Sequence, residues 1–133
     1  MYRVIVAGGR DFNRYAILKA ALDELLSDLI ESGEEIRIVS GKARGADRLG
    51  ERYAKERGFE VDPYPADWKR QADGSYDASA GYKRNAEMAD NAEACICFYN
   101  GSKGTGHMID LAKKKGISLV VLDYNGLEIE RWT

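Results

Sequence analysis

The feature that most constrains the fold of this chain is a regular alternation of short apolar segments with amphipathic helical segments. Five short segments, rich in β-branched and other apolar residues, are typical of buried strands: 3–7, 36–39, 59–64, 94–99 and 117–122. Helical periodicity lies between them, first as a leucine stripe from Leu18 to Leu29 that ends near Gly33, then over 46–57, 81–91 and from Gly106 to Lys115. The alternation predicts an α/β domain with a mostly parallel sheet of about five strands, covered by helices on both faces. The C-terminal residues are predicted to add a short edge element.

Length and charge restrict the class of protein. A chain of 133 residues predicts one domain spanning 1–133. No apolar run approaches the roughly 20 residues that cross a bilayer, and no signal-peptide pattern is present, so we expect a cytoplasmic protein without a membrane partner. With 20 basic and 22 acidic residues, the formal net charge of −2 makes nucleic acid an unfavoured partner.

The cysteines predict packing rather than chemistry. Cys95 and Cys97 alternate along one strand segment, so both thiols are expected on the same face, inside the core. Two thiols and one histidine are too few for a closed zinc site. We expect reduced core thiols, no metal and no cofactor.

Glycine and polar side chains concentrate where strands lead into helices, and these junctions share one edge of a parallel sheet. Glycine lets the backbone approach a ligand, and a helix that begins just afterwards adds its positive end. The sequence therefore predicts a site for a compact anionic ligand. The candidate ligand-binding residues are Gly8, Gly9, Arg10, Asp11, Ser40, Gly41, Lys42, Arg44, Gly45, Asp47, Asp67, Trp68, Arg84, Asn85, Asn100, Gly101, Ser102, Gly104 and Thr105.

Some of these residues also have structural interpretations. Gly8 and Gly9 alone would fit a tight turn, Asp47 would fit a helix N-terminal cap, and Trp68 would stack on a base or plug its loop. His107, the sole histidine, fits a hydrogen-bonding residue better than a catalytic one. The chain has neither a Walker A sequence nor a nucleophile elbow, and only fragments of the dinucleotide fingerprint.

Five motifs in order resemble the YspA/cpYpsA-related branch of the SLOG superfamily, small domains found in bacteria and phages. They are Gly-Gly-Arg-Asp-Phe (8–12), Ser-Gly-Lys-Ala-Arg-Gly-Ala-Asp-Arg-Leu (40–49), Pro-Ala-Asp-Trp (65–68), Ala-Gly-Tyr-Lys-Arg-Asn-Ala-Glu-Met (80–88) and Gly-Ser-Lys-Gly-Thr-Gly-His-Met-Ile (101–109). The resemblance implies a Rossmann-like three-layer sandwich, a nucleotide or nucleotide-sugar ligand related to ADP-ribose, and a homodimer.

The resemblance does not decide between binding and catalysis. The LOG phosphoribohydrolases of the superfamily carry Pro-Gly-Gly-x-Gly-Thr-x-x-Glu, and Met108 stands where that glutamate would be. Our leading hypothesis is a sensor or sequestering protein in which Arg10, Lys42, Arg44 and Arg84 hold phosphate. Ser102 and Thr105 would add hydroxyl bonds, and Asp11 or Asp67 would bind ribose.

Two alternatives stay open at this point. A hydrolase of an N-glycosidic or phosphate bond would draw its catalytic group from Asp11, Asp47, Asp67, Asp110 or His107. A single-stranded nucleic-acid binder resembling the superfamily member DprA would use Trp68 and Tyr82 as stacking platforms.

Overall fold

Strands and helices alternate along the chain in the computed structural model, which describes residues 1–67 and 79–132. The elements are β1 (Tyr2–Gly8), α1 (Tyr15–Leu25), α2 (Ser27–Glu31), β2 (Ile36–Ser40), α3 (Ala46–Arg57), β3 (Glu60–Pro63), α4 (Ala80–Asp90), β4 (Ala94–Phe98), α5 (Lys103–Lys115), β5 (Ser118–Leu122) and β6 (Glu128–Trp132). The α/β class and the predicted strand segments are confirmed, with bounds that differ by a residue or two.

The strands form one sheet in the order β3-β2-β1-β4-β5-β6. Its first five strands run parallel, with Val4 of β1 level with Ile38 of β2 and Ala94 of β4. The sixth strand pairs antiparallel with β5 and forms the edge element that the sequence predicted at the C-terminus. The sheet therefore has one strand more than the predicted five. The direction of strand succession reverses between β1 and β4, which is the topological switch point of the sheet.

Helices cover both faces of the sheet, as in a Rossmann-like three-layer sandwich. Leu18 and Leu22 of α1 and Tyr53 of α3 pack on one face, all fully buried. Met88 of α4 and Met108 of α5 pack on the other. Each such side chain contributes about 1.5–3 kcal/mol through the apolar surface it removes from water. No helix in the described ranges is long and apolar enough to cross a membrane.

The two cysteines lie in the core as free thiols, with their Sγ atoms 3.4 Å apart on the same face of β4. The prediction of two core thiols on one face is confirmed, because alternation along a strand fixes which face each side chain occupies.

The leucine stripe is interrupted near its middle, where the sequence predicted one helix. At Leu26, with φ −100° and ψ 5°, the backbone leaves helical geometry. The Ser27 hydroxyl donates a hydrogen bond to the Glu24 carbonyl oxygen (2.9 Å), a local bond that competes with the helical ladder. The last helix is longer than predicted. It begins at Lys103, inside the glycine-rich segment that was expected to be a turn.

Candidate functional site

A cavity of about 410 Å³ opens at the carboxyl ends of β1 and β4, at the switch point of the sheet. The β1–α1 and β4–α5 loops, the first turns of α3 and α5, and one face of α4 surround it. It is lined by Ala7, Gly8, Gly9, Arg10, Asp11, Ala43, Asp47, Arg84, Asn85, Met88, Asn100, Ser102, Gly104, Thr105 and Met108. We call it the switch-point cavity.

An aromatic cluster holds the β1–α1 loop in place. Phe12 is buried and stacks on Phe98 with ring centroids 4.7 Å apart. Tyr124 packs edge-on against Phe12 and donates a hydrogen bond to Asp11 Oδ1 (2.5 Å). Burial and this hydrogen bond to Asp11 raise the pKa of Tyr124 to about 12. A Cβ at Gly9 would lie 1.8 Å from the Tyr124 hydroxyl oxygen, so a larger residue there would require the Tyr124 side chain to move.

The β2–α3 loop is fixed by hydrogen bonds within the protein. The buried Ser40 hydroxyl donates to Glu51 Oε2 (2.6 Å) and accepts the Lys42 amide (3.1 Å). Lys42 has φ +63°, and its Nζ donates to Glu51 Oε1 (2.7 Å). Gly45 precedes α3 with φ +78° and ψ −128°, a conformation that favours glycine. Ser40 and Gly45 therefore shape the loop behind the site.

Asp47 is a buried carboxylate in the first turn of α3, with 6% of its surface exposed. Its Oδ2 accepts the Ala43 amide (3.3 Å), so the side chain closes the preceding loop rather than serving as the N-cap, which is Gly45. Burial raises the pKa of Asp47 to about 6, against the lowering effects of the Ala43 hydrogen bond and the Arg84 charge. This carboxyl group therefore titrates near neutral pH.

Arg84 brings a half-buried guanidinium from α4 to the same place. It donates to the Gly41 carbonyl oxygen and to Asn85 Oδ1, the latter at 2.9 Å. Burial lowers the pKa of Arg84, while the nearby Asp47 carboxylate favours its charged form. A Cβ on Gly41 would lie 2.7 Å from an Arg84 nitrogen and 2.8 Å from Asp47 Oδ2, so the missing side chain makes room for this pair.

The N-terminus of α5 forms the opposite wall. Ser102 is its N-cap residue, yet its hydroxyl donates to Thr105 Oγ1 (2.8 Å) rather than to a backbone amide. Asn85 Nδ2 donates to the Gly104 carbonyl oxygen (3.3 Å) and thereby ties α4 to α5. The first turn of α5 thus presents two hydroxyls and the positive end of a helix to the cavity.

A second cavity of about 290 Å³ adjoins the first along the β2–α3 loop. We call it the basic cavity, because it is lined by Arg10, Gly41, Lys42, Ala43, Arg44, Arg48, Pro65, Ala66 and Arg84. It shares Arg10, Ala43 and Arg84 with the switch-point cavity.

Most of the predicted binding residues come together around these two cavities. Those on the switch-point cavity are Gly8, Gly9, Arg10, Asp11, Asp47, Arg84, Asn85, Asn100, Ser102, Gly104 and Thr105. Gly41, Lys42 and Arg44 line the basic cavity. Asp67 lines neither cavity, and Trp68 lies outside the described residues.

Gly101, His107 and Asp110 line a third cavity, of about 700 Å³, beside α5 and β6. His107 contacts Asn85 Nδ2 through Nδ1 (3.3 Å), and the Tyr82 ring packs edge-on at 4.5 Å between centroids. Burial lowers the pKa of His107. His107 therefore contacts the side chain of Asn85 in α4, and its role stays a prediction.

Several lining residues were not predicted from the sequence. Ala7, Met88 and Met108 form the apolar floor of the switch-point cavity. In the sequence they look like any other core residue, so nothing marked them as part of a site. Arg48 lines the basic cavity. Its position next to Asp47, at the start of a helix, is the sequence feature from which it could have been predicted. Across 1–67 and 79–132, no cluster of His, Cys, Asp and Glu could hold a metal ion.

The fold and the site define a Rossmann-like α/β domain with a cavity at the topological switch point of its sheet, where polar loop residues surround an apolar floor. The YspA, cpYpsA-related SLOG family (YAcAr) matches residues 2–71. The Gene 61 protein of Mycobacterium phage D29 is 35% identical over 128 residues, which cover 90% of this chain and 95% of that protein. The chain belongs to the YspA, cpYpsA-related SLOG family, which confirms the resemblance in its motifs.

Solved structures share the fold at low sequence identity. DNA processing protein A (DprA) from Streptococcus pneumoniae has a TM-score of 0.69 and 15% identity, over 91% of this chain and 50% of that one. The chain thus spans half the length of DprA. The molybdenum cofactor binding protein from Rippkaea orientalis has a TM-score of 0.63 and 16% identity, over 92% of this chain and 76% of that one. These similarities establish the Rossmann-like architecture.

Proposed function

We propose that this protein binds a nucleotide or nucleotide-sugar derivative, of the ADP-ribose type, in the switch-point cavity and acts as a sensor or a sequestering protein. The observation that carries the proposal is the convergence of Arg10 and Arg84 with the first turns of α3 and α5 on one cavity. Guanidinium groups and helix N-termini both favour a phosphate oxygen.

The remaining lining suits the uncharged part of such a ligand. Asp11, Asn85 and Asn100 present hydrogen-bonding groups that fit sugar hydroxyls, while Met88 and Met108 supply an apolar floor. A cavity with a few polar groups over an apolar surface is typical of small-molecule sites. At about 410 Å³ the cavity falls in the size range of such sites.

Calorimetric titration with AMP, ADP-ribose, cyclic ADP-ribose and NAD tests the proposal. We expect at least one ligand to bind, and Arg84→Gln to weaken it about 10- to 100-fold, because a hydrogen bond to a charged group contributes about 1.5–3 kcal/mol. Thr105→Val, a nearly isosteric change at a buried position, supplies a second variant with a smaller structural risk.

The matched control is Lys114→Gln, which removes one exposed positive charge from α5 away from the cavity. It should bind as the wild type does. If no ligand of the panel binds to the wild-type protein, the proposal is wrong.

Hydrolysis of an N-glycosidic or phosphate bond is a second candidate function, favoured by one observation. Asp47 lines the cavity with a pKa raised by burial to about 6, which suits a general acid or base near neutral pH. Against it, Met108 lines the cavity at the position of the LOG glutamate. Chromatography of the same ligands after incubation separates the two: products that disappear in Asp47→Asn would support hydrolysis, and unchanged ligands would support a binding protein.

A homodimer, which the family resemblance implies, and the cytoplasmic location expected from the sequence complete the proposal. Light scattering after size-exclusion chromatography should give twice the monomer mass.

Oligonucleotide retention at increasing salt tests the nucleic-acid alternative, which predicts a steep salt dependence. Tyr82 packs edge-on against His107 beside the third cavity and is 46% exposed, so the retention experiment decides whether its ring acts as a stacking platform.

A further inference from the structure

Asp47 is the one buried polar side chain with a carboxyl group; the others in the described part of the chain are Ser40, Asn85 and Thr105. It lines the switch-point cavity together with Arg10 and Arg84, so an anion in that cavity meets a carboxyl group as well as two guanidinium groups. We infer that Asp47 binds the anionic ligand in its protonated form, so that ligand binding takes up a proton from solvent. The inference rests on the proposed function and makes the proton a second ligand of the same site.

The groups that attract an anion surround Asp47. It lies in the first turn of α3, at the positive end of that helix. An Arg84 nitrogen and Asp47 Oδ2 lie 2.7 Å and 2.8 Å from the position that a Cβ on Gly41 would take, so the two side chains reach the same place. The charge of Arg10 also acts on Asp47 and favours its ionised form. A phosphate held by these groups would therefore lie close to the carboxyl group.

The protein itself does little to neutralise Asp47. Its one hydrogen bond among the described residues comes from the Ala43 amide (3.3 Å). Arg84 forms no salt bridge with it in that part of the chain and donates instead to the Gly41 carbonyl oxygen and to Asn85 Oδ1. An ionised Asp47 would repel a bound phosphate, because a like charge nearby disfavours the charged form of a carboxyl group. Protonation removes this repulsion and supplies the donor of a charge-assisted hydrogen bond.

Charged and titratable groups act on Asp47 from four parts of the chain: Arg10 from the β1–α1 loop, Glu51 from α3, Arg84 from α4 and Cys95 from β4. The guanidinium groups stay charged throughout the neutral range. Glu51 is paired with Lys42 at 2.7 Å. The hydrogen bond with Cys97 and burial raise the pKa of Cys95, so that thiol keeps its proton. Burial already raises the pKa of Asp47 to about 6, and an anion beside it moves its titration further toward neutral pH.

Calorimetric titration at pH 7 in buffers of different ionisation enthalpy measures the protons taken up. AMP, ADP-ribose, cyclic ADP-ribose and NAD are the ligands, as for the proposed function. A phosphate monoester such as AMP itself titrates near pH 6, so the result is the difference between wild type and Asp47→Asn with the same ligand. We expect a difference of at least about 0.4 proton, which corresponds to a tenfold preference of the ligand for protonated Asp47. For the same reason, the affinity of wild type relative to the variant should be at least about fivefold higher at pH 6 than at pH 8.

Asp47→Asn is the matched variant because its amide can still donate a hydrogen bond to the ligand but does not titrate. Wild-type titrations with ADP-ribose or NAD, whose pyrophosphate keeps its charge in this pH range, measure the uptake without a variant. Asp11→Asn is the control: it removes the other carboxyl group that lines the cavity and should keep the proton uptake, whatever its affinity.

Binding without proton uptake would overturn the inference and leave the proposed function intact. Binding that tightens as pH rises would do the same, since it would mean that a ligand hydroxyl donates to ionised Asp47. Loss of the uptake in Asp11→Asn but not in Asp47→Asn would also overturn the inference. If no ligand of the four binds, the proposed function fails as well.

Discussion

The buried carboxylate of Asp47 destabilises the free protein at neutral pH, and Asp47→Asn should reveal that cost. Its pKa in the folded chain is about 6, raised by burial from an ordinary 3.8. This difference corresponds to about 3 kcal/mol once the group is fully ionised in both states. Asparagine keeps the shape and an oxygen that can accept the Ala43 amide, but it carries no charge.

The sign of the pH dependence follows from proton binding. Between about pH 4 and 6 the folded protein holds the Asp47 proton and the unfolded chain has released it. The unfolded state therefore binds fewer protons, and the wild-type contribution to stability falls as pH rises through this interval. Asp47→Asn lacks this fall, so its advantage over wild type should be near zero at pH 4 and approach about 3 kcal/mol at pH 8.

Urea denaturation of both proteins at four pH values between 4 and 8 measures this difference. Asp23→Asn is the control of opposite sign: burial alone would raise the pKa of Asp23, but hydrogen bonds from Arg57 and Tyr53 outweigh it and lower the pKa. That variant should lose stability relative to wild type at pH 8 and lose less in acid. A stability difference for Asp47→Asn that is constant with pH, or that shrinks as pH rises, would refute the reasoning.

Two further predictions concern packing. Gly45→Ala should lower the free energy of unfolding by at least about 2 kcal/mol, since φ is +78° and a Cβ would meet the Gly9 carbonyl oxygen at 2.2 Å. Gly33→Ala should lower the free energy of unfolding by only about 1 kcal/mol, because φ is +76° but a Cβ would meet nothing within 4 Å. Equal losses for the two variants in urea denaturation would contradict this prediction. The Cys95 and Cys97 thiols should react with a thiol reagent only in denaturant, because their mutual hydrogen bond and burial raise the pKa of Cys95; rapid reaction of folded protein would contradict this.

The sequence predicted best those strands and helices in which burial fixes the spacing of apolar residues along the chain. β4 is buried along its whole length, and alternation alone placed Cys95 and Cys97 on one face. β6 has the opposite character: Ile129 and Trp132 are more than half exposed, so no core face marks the strand. The sequence predicted an edge element at this end of the chain, but the antiparallel pairing of β6 with β5 is a tertiary interaction. A local pattern cannot report such pairing.

The site was predictable as an edge but not as a set of contacts. Parallel strands bring their carboxyl ends together, which is why Arg10 and Arg84 meet although they are far apart in sequence. The use of the Ser40 hydroxyl could not be predicted, because its partner Glu51 reaches it from the second turn of α3. A polar side chain in a loop can form the same kind of hydrogen bond with a ligand or with another part of the protein. Only the folded structure shows which of the two partners it has.

The junction glycines could likewise serve either a ligand or the packing of the protein, and the space around each one distinguishes the two roles. The sequence assigned the junction glycines to close approach of a ligand, yet a Cβ at Gly8 would meet the Phe98 carbonyl oxygen at 2.5 Å, and one at Gly45 the Gly9 oxygen at 2.2 Å. The chain needs these glycines for its own packing. Gly104 differs, because it lines the switch-point cavity and a Cβ there would have nothing within 4 Å. An alanine at Gly45 therefore reports on folding, whereas an alanine at Gly104 reports on what enters the cavity.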